Sequence, residues 1–286
     1  MIITRNTSTT PDALRETMST TQSMFRVAAI QMASGPHVNA NLQEAARLIE
    51  LAASTGARIV ALPEYFPIMG MKDTDKVGVR ERDGDGPIQA FLSAEARRHR
   101  IWIVGGTLPL VSDSEQKVRN ACLVYDQEGK RVARYDKIHL FGFQMGQESY
   151  SEERTIEPGK AVCVVDSPYG RLGISVCYDL RFPELYRAMG EVDLIFVPSA
   201  FTETTGKAHW DTLVRARAIE NLAYIVAVNR VGSGDGLDYS GDSAIIGPFG
   251  EEVVVGDDRE AVLVGDVDPA VVADTRARFP FLPDRR

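Results

Sequence analysis

The hydrophobic positions of the chain change their spacing several times, and each change predicts a new element. A short, nearly continuous apolar run at 25–32 is typical of a strand buried on both faces. Apolar residues at helical spacing follow from Asn41 to Ala53, and Gly56 marks the end of that helix. The alternation then continues, with strands predicted at 58–62 and 101–104 and a helix at 87–100.

Beyond residue 120 the apolar spacing becomes two, which predicts a hairpin with arms at 121–125 and 132–135. The stretch 139–160 shows no such period, and a long loop inside a compact domain is usually functional. Strands and helices then alternate again, which predicts α/β layers with a mixed sheet. The remaining predicted strands are 171–176, 193–197, 224–229, 243–246, 252–255 and 261–267, and the remaining helices are 183–189, 208–222 and 268–278.

The domain organisation follows from where this pattern begins and ends. Residues 1–23 are rich in Thr and Ser, and charged residues interrupt any apolar core that a signal peptide would need. We expect this segment to be a tail with little order. The remainder, 24–286, contains no Pro/Ser/Gly linker and is predicted to be a single domain.

The charge and the cysteine content of the chain indicate which binding partners and which cellular compartment to expect. The chain has 32 Lys and Arg against 40 Asp and Glu, a formal net charge of −8, which disfavours nucleic acid and anionic membranes but not a small anionic substrate. No apolar stretch reaches the ~20 residues of a membrane helix. Three cysteines are too few for a disulfide framework, so an intracellular, cytoplasmic location is expected. No cluster has zinc-ligand spacing, so no metal site is predicted.

Cys177 is the first candidate for chemistry, because it lies where a predicted strand ends and a helix is about to begin. A nucleophile on such a turn is exposed at the sheet edge, where main-chain N–H groups can stabilise an oxyanion. The alternative is a buried structural cysteine, which is our interpretation of Cys122 and Cys163. The usual partner of a catalytic Cys is His, yet no histidine follows a strand beside an orienting carboxylate. The histidines are His37, His99, His139 and His209, of which His139 and His209 stay open as a base near the site.

Two other charged residues interrupt apolar sequence in the same way. Glu64 follows a buried strand, and Lys137 ends the second arm of the hairpin. Each alone would be explained by a structural ion pair. Together with Cys177 they offer a base, an oxyanion donor and a nucleophile without any histidine.

These three motifs resemble the Glu–Lys–Cys triad of the nitrilase-like carbon–nitrogen hydrolases. Glu64 lies in Leu-Pro-Glu, Lys137 in Tyr-Asp-Lys-Ile-His-Leu and Cys177 in Val-Cys-Tyr-Asp-Leu-Arg-Phe-Pro-Glu, and the likeness extends from Phe25 to about Pro283. The resemblance implies an α-β-β-α sandwich with mixed sheets, which pairs through its α face into a four-layered homodimer or a larger homo-oligomer. It also implies hydrolysis of a non-peptide C–N bond through a thioester intermediate, without a metal or an organic cofactor.

The family also has a second active-site carboxylate, a few residues before a Pro-Gly. Here that position favours Glu152, with Glu148 and Glu153 as alternatives before Pro158-Gly159. The resemblance further implies that the Tyr178 main-chain N–H stabilises the oxyanion, and that Phe201 and Thr205 lie on a loop at the acid-binding end.

Arg181 is the candidate cation for a substrate carboxylate, because it follows the nucleophile by four residues, about one helical turn. Its alternative is an ion pair with Asp179 or Glu184. We expect Asp179 to brace Arg181 rather than to take part in chemistry.

Three phrases, at 141–149, 198–210 and 215–220, resemble the Nit branch of the superfamily. That branch holds deaminated-glutathione amidases and ω-amidases, which act on amides of 2-oxoglutarate-like acids. The resemblance therefore implies a small anionic amide as substrate, most simply deaminated glutathione. An ω-amidase acting on 2-oxoglutaramate, a carbamoylase or nitrilase, and a non-catalytic binding protein of the same fold stay open.

Overall fold

The computed structural model describes residues 23–145, 148–234 and 236–285, so nearly all of the predicted tail, 1–23, lies outside it. The helices in these segments are α1 (Val38–Ser54), α2 (Asp75–Gly78), α3 (Pro87–His99), α4 (Pro183–Ala188), α5 (Glu203–Asn221) and α6 (Pro269–Arg278). The strands are β1 (Phe25–Gln31), β2 (Ala57–Ala61), β3 (Trp102–Val104), β4 (Leu108–Val111), β5 (Val118–Tyr125), β6 (Arg131–Asp136), β7 (Gly142–Met145), β8 (Glu148–Ser151), β9 (Cys163–Ser167), β10 (Gly170–Ile174), β11 (Leu194–Ser199), β12 (Tyr224–Asn229), β13 (Val231–Gly234), β14 (Leu237–Ser240), β15 (Ala244–Ile246), β16 (Glu252–Val255) and β17 (Ala261–Val267).

Two large mixed sheets form the centre of the molecule. The first has the order β17-β1-β2-β3-β5-β4, with β6 also paired to β5, and the second has the order β16-β15-β12-β11-β10-β9. Strands β1, β2 and β3 are parallel, as are β10, β11 and β12, and antiparallel strands flank each set. Two small hairpins, β7–β8 and β13–β14, lie outside these sheets.

The side chains of β1 show how the layers stack. Val27 and Ala29 are fully buried in a core that includes residues of the second sheet, such as Phe196. Ala28 and Ile30 point to the opposite side, into a core formed with α1 and α3. Successive side chains of a strand alternate in direction, so a strand with a helix layer on one face and a sheet on the other needs apolar residues throughout.

Helices α4 and α5 lie beyond the second sheet, and α5 packs on β12 and β15 through its buried face. The order of layers is therefore helix, sheet, sheet, helix, and the predicted α-β-β-α sandwich with mixed sheets is confirmed. No helix of the described segments is long and apolar enough to cross a membrane.

Some elements differ from the sequence-based expectation. The predicted loop 139–160 contains the hairpin β7–β8 and a 3₁₀ helix at Glu152–Arg154. Strands β4 and β9, helix α2 and the β13–β14 hairpin were not predicted. Helix α5 begins at Glu203, five residues before the expected start, and includes Gly206.

Candidate active site

The catalytic candidates meet because of the direction of their strands. Strands β2 and β6 of the first sheet run the same way, so Glu64 and Lys137 follow their carboxyl ends at one edge. Cys177 follows β10 of the facing sheet, and Phe201 follows the parallel neighbour β11. The edge where the two sheets present these ends therefore collects all four residues.

The turns that carry two of these residues are strained. Cys177 has φ 49° and opens a 3₁₀ helix, Cys177–Arg181, directly after extended Val176. Tyr65, next to Glu64, has φ 59°. Non-glycine residues in this region cost of the order of 1–3 kcal/mol each, and such strain concentrates at functional sites.

Lys137 lies at the centre of the cluster and is fully buried. Its Nζ is 2.8 Å from Oε1 of Glu64 and 3.0 and 2.9 Å from the two carboxylate oxygens of Glu152. Burial alone would lower the pKa of the Lys137 ammonium, but the charges of Glu152 and Glu64 outweigh it and raise that pKa well above its usual range. Lys137 is therefore a cation held between two anions.

Glu64 and Cys177 share a proton-transfer contact. The Cys177 thiol hydrogen-bonds to the Glu64 carboxylate, and Nδ2 of Asn120 donates to Glu64 Oε1 at 2.8 Å. Burial raises the pKa of Glu64 against the opposing charge of Lys137. Burial and the charge of Glu64 raise the pKa of the Cys177 thiol well above its usual range. The raised pKa of Cys177 favours a protonated thiol, and this thiol is hydrogen-bonded to the Glu64 carboxyl group.

Glu152 is the carboxylate that the fold places beside Lys137. It is buried at the start of the 3₁₀ helix after β8, and it accepts hydrogen bonds of 2.7 Å from the Tyr65 hydroxyl and from the Phe141 main chain. Glu153 is exposed, and the side chain of Glu148 lies outside the described residues.

A cleft of about 450 Å³ opens onto this cluster. Its lining includes every predicted site residue except Lys137, which is buried behind the two carboxylates. Those lining residues are Glu64, Glu152, Cys177, Tyr178, Arg181, Phe201 and Thr205. Thr205 lies in the first turn of α5 and not, as expected, on a loop.

Arg181 is available for a ligand. Its guanidinium lies 5.7 Å from the Tyr178 ring centre and 5.4 Å from that of Phe201, and Nη1 is 3.3 Å from Nδ1 of His209. Among the described residues it forms no ion pair, so the alternative pairing with Asp179 or Glu184 is not observed. Aromatic rings hold the side chain in place while its charge stays unneutralised.

Asp179 does not brace Arg181, contrary to the expectation from sequence. Its buried carboxylate accepts hydrogen bonds from the Tyr135 hydroxyl at 2.6 Å and from the Val176 main chain at 2.9 Å. The other oxygen bonds to the main chain of His139 and lies 2.7 Å from its Nδ1. The carboxylate therefore ties the turn that carries Cys177 to the segment that carries Lys137.

Comparison with known proteins places this arrangement in a family. Residues 26–277 match the family described as carbon-nitrogen hydrolase. The chain belongs to the carbon–nitrogen hydrolase family. The names of several relatives and of structural neighbours such as Nit3 support the Nit branch of the nitrilase superfamily and an amidase-type carbon–nitrogen hydrolase.

The relatives of this hydrolase carry two kinds of name. The deaminated glutathione amidase of Yersinia enterocolitica is 39% identical over 72% of this chain and 73% of that protein, and that of Synechocystis is 35% identical over 91% and 98%. The chloroplastic omega-amidase of Arabidopsis thaliana is 35% identical over 92% of this chain and 72% of that protein.

Solved structures agree on the fold of the hydrolase. The NitFhit protein of C. elegans has a TM-score of 0.86 at 34% identity, covering 93% of this chain and 66% of that one. Saccharomyces cerevisiae Nit3 has a TM-score of 0.82 at 29% identity, covering 90% and 95%.

Several residues at the site of this hydrolase were not found from the sequence. Asn120 touches Glu64, Tyr65 touches Glu152, and the Ala200 main chain hydrogen-bonds the Cys177 sulfur. Tyr150 and Tyr239 line the cleft. Of these, Asn120 had a usable signal, because its amide directly precedes the apolar run of strand β5 and is buried there.

The two other cysteines of the chain lie in the core and away from the cleft. Cys122 and Cys163 are buried in strands, and burial raises the pKa of Cys163 to about 12. In the described part of the chain, no group of three or more His, Cys, Asp or Glu residues is arranged to hold a metal ion.

Proposed function

We propose that the chain hydrolyses the amide bond between a 2-oxoglutarate-like acyl group and an amine, with deaminated glutathione as substrate and 2-oxoglutarate and cysteinylglycine as products. One observation carries the proposal. A buried ammonium, Lys137, binds both Glu64 and Glu152 directly behind the Cys177 thiol, in a cleft that also presents Arg181, a cation that pairs with no carboxylate of the described residues. The names of the relatives support the choice of acyl group.

Acylation begins at the thiol. Glu64 accepts the proton of Cys177 while the sulfur attacks the amide carbon. The carbonyl oxygen becomes an oxyanion, which an N–H of Lys137 and the main-chain N–H of Tyr178 stabilise; one such donor is typically worth ~10²–10³ in rate. All three of the Lys137 contacts are to carboxylate oxygens at rest, so one must be exchanged for the oxyanion.

Breakdown and deacylation return the enzyme to its starting state. Glu64 gives its proton to the leaving nitrogen, the C–N bond breaks, and a thioester to Cys177 remains. Glu64 then takes a proton from water, whose oxygen attacks the thioester. When the C–S bond breaks, the proton on Glu64 passes to the sulfur. Glu152 fixes Lys137 and, through Tyr65, the wall of the cleft.

The acyl half of the substrate is assigned to the Arg181 end of the cleft. A guanidinium that lies over aromatic rings, with no ion pair in the part of the chain that the structure describes, suits a bidentate carboxylate. Phe201 and the Thr205 hydroxyl line the same end. A charge of −8 on the whole molecule makes this local cation the more important for an anionic substrate.

The second candidate is an omega-amidase that releases ammonia from 2-oxoglutaramate. The similarity to the Arabidopsis enzyme favours it, because its identity of 35% is close to that of the deaminated glutathione amidases. Both candidates use the same acyl site and the same nucleophile and differ only in the leaving group.

Mass spectrometry of parallel reactions tests the proposal. With deaminated glutathione we expect rapid formation of 2-oxoglutarate and cysteinylglycine, and with 2-oxoglutaramate slower release of ammonia. The reverse preference would make the chain an omega-amidase. Cys177→Ser should keep the fold and lose turnover by orders of magnitude. Near-normal turnover by that variant would refute the mechanism, whichever substrate is used.

A further inference from the structure

A second cavity adjoins the candidate active site. It has a volume of about 330 Å³ and shares three tyrosines with the cleft, Tyr65, Tyr150 and Tyr239. Arg181 lines the first cavity and not the second, so the second lies beyond the tyrosines, away from the proposed acyl end. Its remaining wall comes from the segment after β2.

The charges of this second cavity are mainly positive. Lys72, Lys76 and Asp73 line it. Asp73 is already engaged, because it pairs with Lys76 and accepts a hydrogen bond of 2.8 Å from the Thr155 hydroxyl. Lys72 is exposed and forms no ion pair within the described segments, while its main-chain N–H donates to Asp75 at 3.0 Å. Lys72, on a turn that Asp75 anchors, thus lines the cavity without an ion-pair partner among the described residues.

The wall that divides the two cavities is supported from behind. Tyr239 lies against the guanidinium of fully buried Arg230, 4.2 Å from ring centre to Cζ, and Arg230 Nη2 donates to the Ser34 carbonyl at 3.0 Å. The ammonium of Lys76 lies 5.3 Å from the centre of the Tyr65 ring. Such cation–π contacts fix the rings, so the tyrosines that the two cavities share form a defined wall.

We propose that the second cavity is the subsite for the leaving amine and that it selects amines ending in a carboxylate, which Lys72 binds. The proposal rests on the proposed function, because it assumes attack by Cys177 on an amide whose acyl half lies at Arg181. A substrate held in both cavities carries a carboxylate at each end. Ammonia, in contrast, would leave this cavity without a ligand.

The lining of the cavity suits one end of a dipeptide. Two residues span at most about 7 Å, and the cavity shares Tyr65, Tyr150 and Tyr239 with the cleft that contains Cys177. Ile68 and Met69 line it beside the lysines, so a small apolar or thiol side chain finds an apolar contact while the terminal carboxylate reaches an ammonium. The mixture of apolar wall and one placed cation is typical of a specific subsite.

Kinetics with matched substrates test the subsite. The pair is deaminated glutathione and the same molecule with its terminal carboxylate converted to a primary amide. For the unaltered enzyme we expect a KM about tenfold lower for the carboxylate, and Lys72→Met should abolish that preference. Lys72→Met should leave the KM for 2-oxoglutaramate unchanged. Lys130→Met, an exposed lysine in the β5–β6 turn, is the control and should keep the preference.

Binding separates failure of the subsite from failure of the reaction. Calorimetric titration of Cys177→Ala with the same two ligands requires no turnover. Tighter binding of the carboxylate, lost on Lys72→Met, supports the subsite even if neither compound is hydrolysed, in which case the proposed substrate is wrong. Equal binding of the two ligands, or a preference that survives Lys72→Met, would overturn the subsite while leaving the amidase reaction intact.

Discussion

Glu64 is the residue on which the proposed proton transfers depend. Burial raises the pKa of its carboxyl above the ordinary value of 4.5, although Lys137 opposes the shift. A general base works only when ionised, so activity should fall as the pH drops through this raised pKa. The acid limb of kcat/KM is therefore expected above pH 4.5, not at it.

Removing a hydrogen bond to the ionised Glu64 carboxylate should move the acid limb of kcat/KM to still higher pH. Asn120→Leu keeps the volume but removes the N–H that donates to Glu64 at 2.8 Å. Because that donor favours the carboxylate, its loss raises the pKa of Glu64 and shifts the acid limb upward by about one pH unit. The measurement is kcat/KM against pH.

Cys122→Ala provides the control for this shift. Cys122 is buried two residues further along β5, on the same face as Asn120, and is a member of the core between the sheets. Its truncation should lower stability without moving the acid limb. Asn120 would not set the pKa of Glu64 if the acid limb of kcat/KM stays in place in Asn120→Leu, or if it moves equally in Asn120→Leu and Cys122→Ala.

At the residue scale, the sequence predicts groups that interrupt an apolar run and misses groups that look ordinary. Glu64, Lys137 and Cys177 stand out because a charge or a thiol at a strand end needs a reason. Tyr65 carries no such signal, since tyrosine is common at half-buried positions and its bond to Glu152 links residues 87 apart in the chain. The family position before Pro158-Gly159 favoured Glu152 over its neighbours, and the fold places that carboxylate beside Lys137.

At the scale of elements, Asp179 joins the nucleophile turn to the end of β6. Two donors point to each of its carboxylate oxygens: Tyr135 and Val176 to one, and the main chain and ring of His139 to the other. The ring of His139 also stacks on Phe182 at 3.8 Å. The spacing between Cys177 and Lys137 is set through this buried group.

Asp179→Asn should therefore disturb both stability and catalysis. In the variant, an NH₂ group replaces one carboxylate oxygen and faces the two donors that this oxygen accepted from. Two buried hydrogen bonds are therefore lost, at a cost of about 3 kcal/mol in unfolding free energy. At a temperature where the variant is folded, we expect kcat to fall at least tenfold with little change in KM, since the displaced groups act on the transition state. Denaturant unfolding and steady-state kinetics measure the two effects.

Asp126→Asn is the matched control for this prediction. Asp126 accepts hydrogen bonds from Glu128 and Lys130 in the β5–β6 turn, away from the cleft. Its substitution should change kcat little. The rate of alkylation of Cys177 also reports on the conformation of the turn that carries it. An unaltered alkylation rate together with full kcat in Asp179→Asn would refute the positioning role of Asp179.

Helix α5 shows why element boundaries were harder to predict than their existence. Its first turn contains Gly206, which reads as a helix breaker. In the structure a Cβ at Gly206 would lie 2.4 Å from Oγ of Ser240, so glycine is needed for close packing against β14. The hairpin β7–β8 was missed because its two strands pair only with each other, outside both large sheets. Its sequence therefore lacks the apolar pattern of a strand that packs on the core.

At the scale of the whole molecule, the alternation of buried strands and amphipathic helices along the chain predicted α/β layers with a mixed sheet, and the α-β-β-α order came from the family resemblance. The pairing order of the strands was not predictable, since the sequence does not say that β1 lies between β2 and β17. What covers the outer helices is a question about assembly. The resemblance to the family implies a homodimer through one helix layer.

The surface beside α5 and α6 carries an apolar patch that fits this assembly. Phe249 and Phe279 are exposed, with ring centres 5.0 Å apart, and exposed Ile219 of α5 lies next to Gly250. Phe281 follows, 40% exposed. A contiguous exposed patch of large apolar side chains is typical of a protein interface. We propose that a second copy of the chain covers it.

Charge on this patch should therefore separate the copies. Phe249→Asp with Phe279→Asp buries two carboxylates in the proposed contact, so the dimer should dissociate to monomers in light scattering after gel filtration. Leu51→Asp is the control, because Leu51 is similarly exposed on α1, in the opposite helix layer, and its change should leave the dimer intact. A monomeric unaltered chain, or a double variant that stays dimeric, would place the interface elsewhere or exclude it.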